Sequence, residues 1–223
     1  GSLLGFIAAW ANWVSLITLI PIEAVAAVQY MSTWPWSWAH WTHHFLSNGV
    51  ITNSGLFVVF GFIIVFTALN FWSVTILTRF TSLISVFKIG IPLLTVVMLT
   101  MSGFHPSNYG TSWHQFMPYG SAPVFTATSA AGIIFSFDAF QTVINMGGEI
   151  EHPKKNIGRG ITISLLISGI LYVILQSTFI TAIPPKMIAA TGWHGIVFNS
   201  PFADLAILLG IHWLSVLLYM DAF

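Results

Sequence analysis

The sequence predicts an all-α protein, a polytopic bundle of about six transmembrane helices forming a single domain over 1–223. Three observations predict it: charge is too scarce for a water-facing surface, long apolar stretches recur, and the segments between them carry turn residues, tryptophan and basic side chains. Hydrophobic residues make up 56% of the 223 positions, and only 5% are Asp, Glu, Lys or Arg. A soluble domain carries about a quarter charged residues. Six basic and six acidic side chains cannot cover a water-facing surface, so lipid is the solvent for most of the chain. The zero net charge argues against a nucleic-acid partner, and with no cysteine, disulfides, thiolate zinc sites and iron–sulfur clusters are excluded.

About 20 apolar residues cross a bilayer core as a helix, and six stretches qualify: 4–30, 55–74, 83–103, 127–148, 161–183 and 203–223. Short alternating strands, the mark of a β-barrel, are lacking. Pro, Gly, Trp and His punctuate the intervening segments, with a Pro184-Pro185 pair before the sixth stretch. Arg79, Lys154, Lys155 and Arg159 fall on one side of the membrane, whereas the loops of the other side hold only Lys186. The positive-inside rule then puts the start of the chain and the loops 75–82 and 149–160 in the cytoplasm. Tryptophans 34, 36, 38, 41, 113 and 193 fall in outer loops or beside span ends, as an interfacial belt requires. Residue 1 is Gly and the last stretch ends without a polar flank, so the chain reads as a fragment. The first stretch is too long for a signal-peptide core.

An ionised side chain at bilayer depth costs several kcal/mol and is kept for a partner or a task. Glu23 after Pro21 in the first stretch, Lys88 in the third, Asp138 in the fourth and Asp221 in the sixth are such groups. Each alone is explained by a satisfied pair or a snorkelling side chain; together they suggest a polar pathway. The fourth stretch is the most informative, because Ser136, Asp138, Gln141, Thr142 and Asn145 interrupt its apolar run. Transporters keep broken helices where they line a cavity, and the freed carbonyls that end a half-helix suit a cation such as an amino group. An ordinary buried helix with polar interhelical contacts is the competing account.

The run 135–161 resembles the signature of amino acid permeases of the amino acid–polyamine–organocation superfamily, in which F-x-F-x-G-F-E precedes E-x-x-x-P-x-x-x-I-P-R-A-I. Phe135, Phe137 and Phe140 fit in register, as do Glu149, Pro153, Lys155, Asn156, Ile157, Arg159 and Ile161. P-I-E-A from Pro21, F-K-I from Phe87 and S-P-F-A-D from Ser200 extend the likeness over the whole chain. The resemblance implies helices three to eight of a leucine-transporter-like fold of two inverted five-helix repeats. It also implies that the backbone around Phe135, Ser136, Phe137, Asp138, Ala139 and Phe140 receives a substrate α-amine, while the carboxylate meets a helix outside this chain. Lys88 resembles the fifth-helix lysine that proton-coupled members place where sodium-coupled relatives bind a cation. Glu23, Asp138 and Asp221 join it as coupling or gating candidates. Glu149, Pro153, Lys155 and Arg159 match a cytoplasmic loop signature. Ala139 and Gln141 replace the family's glycine and glutamate, and Gly158 and Gly160 stand at its proline and alanine. The missing glutamate puts a proton or gating role there in doubt, and Asp138 next door is the substitute.

His40, His43 and His44 form H-x-x-H-H, a spacing used by membrane desaturases, but a di-iron centre needs several such boxes and the other five histidines are scattered. No metal or cofactor is expected. The reading is a secondary active transporter in the plasma membrane, not an enzyme. Its partners are an amino acid or related amine, a coupling proton or sodium ion, and the lipid bilayer. A histidine-box metalloenzyme and a channel are the alternatives, the latter lacking a filter motif.

Overall fold

The computed structural model describes residues 1–70, 74–129, 133–137, 140–145, 147–148 and 150–222. In chain order the helices are α1 (Ser2–Met31), α2 (Asn53–Asn70), α3 (Val74–Ser102), α4 (Trp113–Phe116), α5 (Ala122–Ser129), α6 (Gln141–Asn145), α7 (Pro153–Ala182), α8 (Pro185–Thr191), α9 (Pro201–Leu208) and α10 (His212–Asp221). Between α1 and α2 lie a 3₁₀ helix, Ser37–Phe45, and a hairpin of β1 (Leu46–Ser47) and β2 (Val50–Ile51). The protein is therefore all-α, as its composition requires. Two compact units divide it: Gly1–Thr95 with Val197–Phe223, and Val96–Ile196.

In the first unit α1, at 30 residues, is about 45 Å long and exceeds a bilayer core of about 30 Å. Pro21 lies inside it without ending it. Its first two turns present Leu3, Leu4, Phe6 and Ile7 outward, which water would not tolerate. Burial begins only near the far end, at Ala24, Ala27, Val28 and Met31, a helical stripe of spacing 3, 1 and 3. Ala24, Val28 and Met31 pack with Phe45 and Val59, so the end of α1, the 3₁₀ helix and α2 share one core.

The link from α1 to α2 is held by named polar contacts. The Met31 carbonyl, one of the oxygens that a helix end leaves unpaired, accepts from the buried Thr42 hydroxyl at 2.7 Å. Asn48 and Gly49, both with positive φ, form the two-residue turn that this hand of hairpin favours. Thr52 caps α2: its hydroxyl oxygen accepts from the Gly55 amide at 3.3 Å. A Cβ on Gly55 would lie 2.6 Å from the Phe45 carbonyl oxygen and 2.8 Å from Ile51 Cγ2, so only glycine fits that crossing.

The stretch 203–223, expected as a single span, is instead two helices. Gly210, at φ +79°, closes α9 with a Schellman motif: its amide donates to Ile207 and that of Ile211 donates to Ala206. The chain then turns back. Ser200 ahead of α9 shares a hydrogen bond with the Thr33 hydroxyl at 2.8 Å, and Tyr219 near the end of α10 donates to the Thr33 carbonyl at 3.1 Å. Both ends of the pair thus meet one residue beyond α1.

In the second unit α7 is the long element, again 30 residues. Its last turn is satisfied from outside: Asn108 Nδ2 donates to the carbonyls of Ile180 and Ile183, and the His105 amide to that of Thr181. Among the described residues three helices are long and apolar enough to cross a membrane, namely α1, α3 over Leu83–Ser102, and α7; the apolar α2 is shorter.

Two expected loops are helical. Residues 75–82 belong to α3, since 74–82 contain no Gly or Pro to stop a helix and Arg79 alone suggested water. Residues 153–160 form the first turns of α7, because Pro153 at the first helical position lacks the amide that would go unpaired there anyway. Pro153, Lys155 and Arg159 are thus exposed helix residues rather than loop residues.

Replacing Gly55 by Ala is expected to cost about 1–3 kcal/mol by overpacking. A lower unfolding midpoint of the full-length protein in detergent would show it; an unchanged midpoint would mean that the crossing yields.

Candidate functional site

The fourth expected span, 127–148, is interrupted in the described residues. Helix α5 stops at Ser129 and α6 starts at Gln141, with a 3₁₀ turn at Phe135–Phe137 between them. The hydrogen bonds record the loss of register: the Ile134 amide reaches back six residues to Thr128 at 3.3 Å, and the Phe137 amide three residues to Ile134 at 3.0 Å. Neither is the four-residue bond of an α-helix. Proline is absent from 130–140.

One partner is on α7. The Tyr172 hydroxyl donates to the Ser136 carbonyl at 3.2 Å, and its ring meets Phe137 edge-on at 5.3 Å between centroids. Gly169, one turn earlier on α7, lies under the Phe137 ring: a Cβ there would be 3.8 Å from Phe137 Cε1. A phenol thus holds the broken segment by both ends of its chemistry, ring against ring and hydroxyl on carbonyl. The Ser136 oxygen, expected to be bare, has a donor. Tyr172 was not among the sequence candidates; its one signal was a phenolic hydroxyl in an apolar stretch.

Phe140, just before α6, is exposed. Asp138, Ala139 and Glu149 lie outside the described residues, as does the side chain of Phe135.

In the other unit the structure brings two coupling candidates together. Lys88 on α3 and Asp221 at the end of α10 form an ion pair, Nζ to Oδ1 4.0 Å, and the ammonium also donates to the Asp221 backbone carbonyl. Asp221 Oδ1 is buried and has no hydrogen bond. The pair brings opposite charges out of water with incomplete hydrogen bonding, an arrangement of high electrostatic stake. Glu23 is not part of it: its side chain is exposed on α1, and it makes no ion pair among the described residues.

A second polar cluster joins Thr33, Ser200, Asp204 and Tyr219. Asp204 Oδ2 accepts from the Ser200 amide at 3.0 Å at the start of α9, while Tyr219 is almost fully buried. The Tyr219 bond to Thr33 spans 186 residues and carried no local signal.

The His40 and His43 rings lie 5.1 Å apart between centroids, tilted by 42°, and His43 Nε2 already bonds the Trp34 carbonyl at 2.9 Å. Among the described residues no group of three or more His, Cys, Asp or Glu could hold a metal ion.

Comparison with known proteins agrees with a transport role. The glutamate/serine transporter AimA of Bacillus subtilis (strain 168) is 48% identical over 223 residues, covering 100% of this chain and 41% of that protein. The aspartate-proton symporter of the same organism is 33% identical over 226 residues, again 100% of this chain and 41% of its own length. Its branched-chain amino acid permease BcaP is 38% identical over 73 residues, 33% of this chain and 15% of that protein. The chain thus spans 41% of the length of the first two relatives. No solved structure is a significant match. These relatives are transporters rather than enzymes, which removes the support for a histidine-box metalloenzyme. The amino acid permease profile matches residues 1–220, and together with the apolar helices it identifies a multi-pass membrane protein: the chain belongs to the amino acid permease family.

Proposed function

We propose that the whole protein is a secondary active transporter for an amino acid or a related amine, coupled to protons and working by alternating access in the plasma membrane. The observation that carries this reading is the non-α-helical hydrogen bonding of Ile134 and Phe137, beside the 3₁₀ turn Phe135–Phe137, inside an apolar stretch. Carbonyl groups freed from a helix are tolerated in hydrocarbon only where protein or a cavity receives them. A substrate ammonium is a natural recipient, because a half-helix ends in partial negative charge. In this reading Phe135, Ser136, Phe137, Asp138, Ala139 and Phe140 form the amine-binding segment, and Tyr172 sets its geometry through the Ser136 carbonyl.

Lys88 and Asp221 form the coupling element. A proton moving onto or off this pair changes its charge, and with it the cost of keeping Asp221 Oδ1 away from water. Glu23 and Asp138 remain further coupling candidates, and sodium is the alternative ion. The start of the chain and the segments 75–82 and 149–160, the latter including Glu149, Pro153, Lys155 and Arg159, face the cytoplasm in this reading. The names of two relatives, a glutamate/serine transporter and an aspartate-proton symporter, support testing small polar and acidic amino acids first.

The full-length protein reconstituted in liposomes is expected to accumulate labelled glutamate, serine or aspartate against a gradient when the outside is acidified. Conductance without accumulation would point to a channel instead. Accumulation driven by sodium at equal pH would replace the proton as coupling ion.

Lys88→Ala is expected to abolish pH-driven accumulation while leaving substrate exchange at equal pH; intact pH-driven uptake in this variant would remove Lys88 from coupling. Tyr172→Phe removes one hydrogen bond worth about 0.5–1.5 kcal/mol, so the apparent KM for uptake should rise about two- to tenfold. An unchanged KM would detach Tyr172 from the site.

A further inference from the structure

The segment between α1 and α2 has a regularity that the transport reading does not use. Ser37–Phe45 is a nine-residue 3₁₀ helix, although such helices rarely exceed three or four residues. With three residues per turn, side chains three apart stand directly above one another. The sequence S-W-A-H-W-T-H-H-F has the same period. Ala39, Thr42 and Phe45 form one column, and all three are buried against the end of α1 and the start of α2. Ser37, His40 and His43 form a second column, exposed and polar, with the two imidazoles 5.1 Å apart. Trp38 and Trp41 form the third, 64% and 55% exposed, with His44 above them at the turn into β1.

Two exposed indoles in one column are expensive in water and are not a random surface. Trp38 is braced from behind by Trp36, stacked at 5.5 Å and 5°, and by Trp34 at 5.6 Å. Trp41 is braced edge-on by Phe45 at 5.2 Å. The rings are therefore held outward rather than left to collapse onto the protein. The element also starts six residues after α1 ends and closes eight residues before α2 begins, where two apolar helices leave the hydrocarbon. Indole is the side chain that favours this depth, with its ring among acyl carbons and its N–H toward headgroups.

We infer that Ser37–Phe45 is an interfacial helix that lies in the headgroup layer of the bilayer, its Trp38/Trp41 column docked on lipid and its His40/His43 column turned to water. The occupant of the exposed indole face is the bilayer itself. The Ala39/Thr42/Phe45 column ties the element to the core, so movement of the α1 and α2 ends is tied to the membrane surface.

The chain contains no cysteine, so single cysteines can carry nitroxide labels without other changes within it. The full-length protein, with any cysteines outside this chain replaced, would be labelled at positions 37, 38, 40, 41 or 43 in phosphatidylcholine–phosphatidylglycerol liposomes. Collision with oxygen and with a water-soluble nickel chelate then gives the depth of each label. Labels at 38 and 41 should read roughly 5–10 Å into the boundary between headgroups and acyl chains, and those at 37, 40 and 43 should read in water. Labels 40 and 43 keep both tryptophans in place, so their reading stands even if a label at 38 or 41 disturbs the helix. Equal depth at all five positions, or labels 40 and 43 reading in lipid, would overturn the inference. So would shielding of 38 and 41 from both reagents, which would mean that protein covers the face.

Discussion

The structure depends on one constraint: in hydrocarbon, a peptide N–H or C=O has no water to turn to, so it must find its partner within the protein. The long helices α1, α3 and α7 meet it along their length. Side-chain hydroxyls follow the same rule, with Thr67 on α2, Thr95 and Thr100 on α3 and Thr162 on α7 each donating to the carbonyl four residues earlier. Helix ends are where the rule bites, because each leaves its last carbonyls unpaired. Thr42 answers for the end of α1, Asn108 for the end of α7 and the Gly210 turn for the end of α9.

That constraint gives the interruption between α5 and α6 its meaning. Abandoning the four-residue bond inside an apolar stretch strands polar groups, and the stretch keeps its shape because other groups receive them. Tyr172 receives Ser136 while its ring fixes Phe137, so one side chain on α7 sets both the direction of a carbonyl and the position of an aromatic wall. The contact ties the segment 136–137 to α7, the element whose first turns carry Lys154, Lys155 and Arg159.

Charge obeys the same economy. With so few ionisable groups in the chain, an ion pair between α3 and α10 is a costly placement, and Asp221 Oδ1 lies buried there without a hydrogen bond. Two residues earlier on the same helix, Tyr219 joins Thr33, Ser200 and Asp204 in a polar cluster whose hydrogen bonds clasp α9 and α10 onto the end of α1.

What the sequence determined by itself is the solvent, and hence the class: in lipid only helices and closed barrels satisfy a backbone, and long apolar runs without short alternating strands leave the helices. It also located the polar interruption near Ser136, since side chains that lipid rejects are visible residue by residue. Tertiary structure alone decided which distant groups meet: Lys88 with Asp221, Tyr172 with Ser136, Tyr219 with Thr33. It also decided that 203–223 folds at Gly210 and that 75–82 and 153–160 stay helical. Pairing across a hundred residues leaves no periodicity in a sequence, and a glycine or a run of charges fits both a helix and a turn until its neighbours choose.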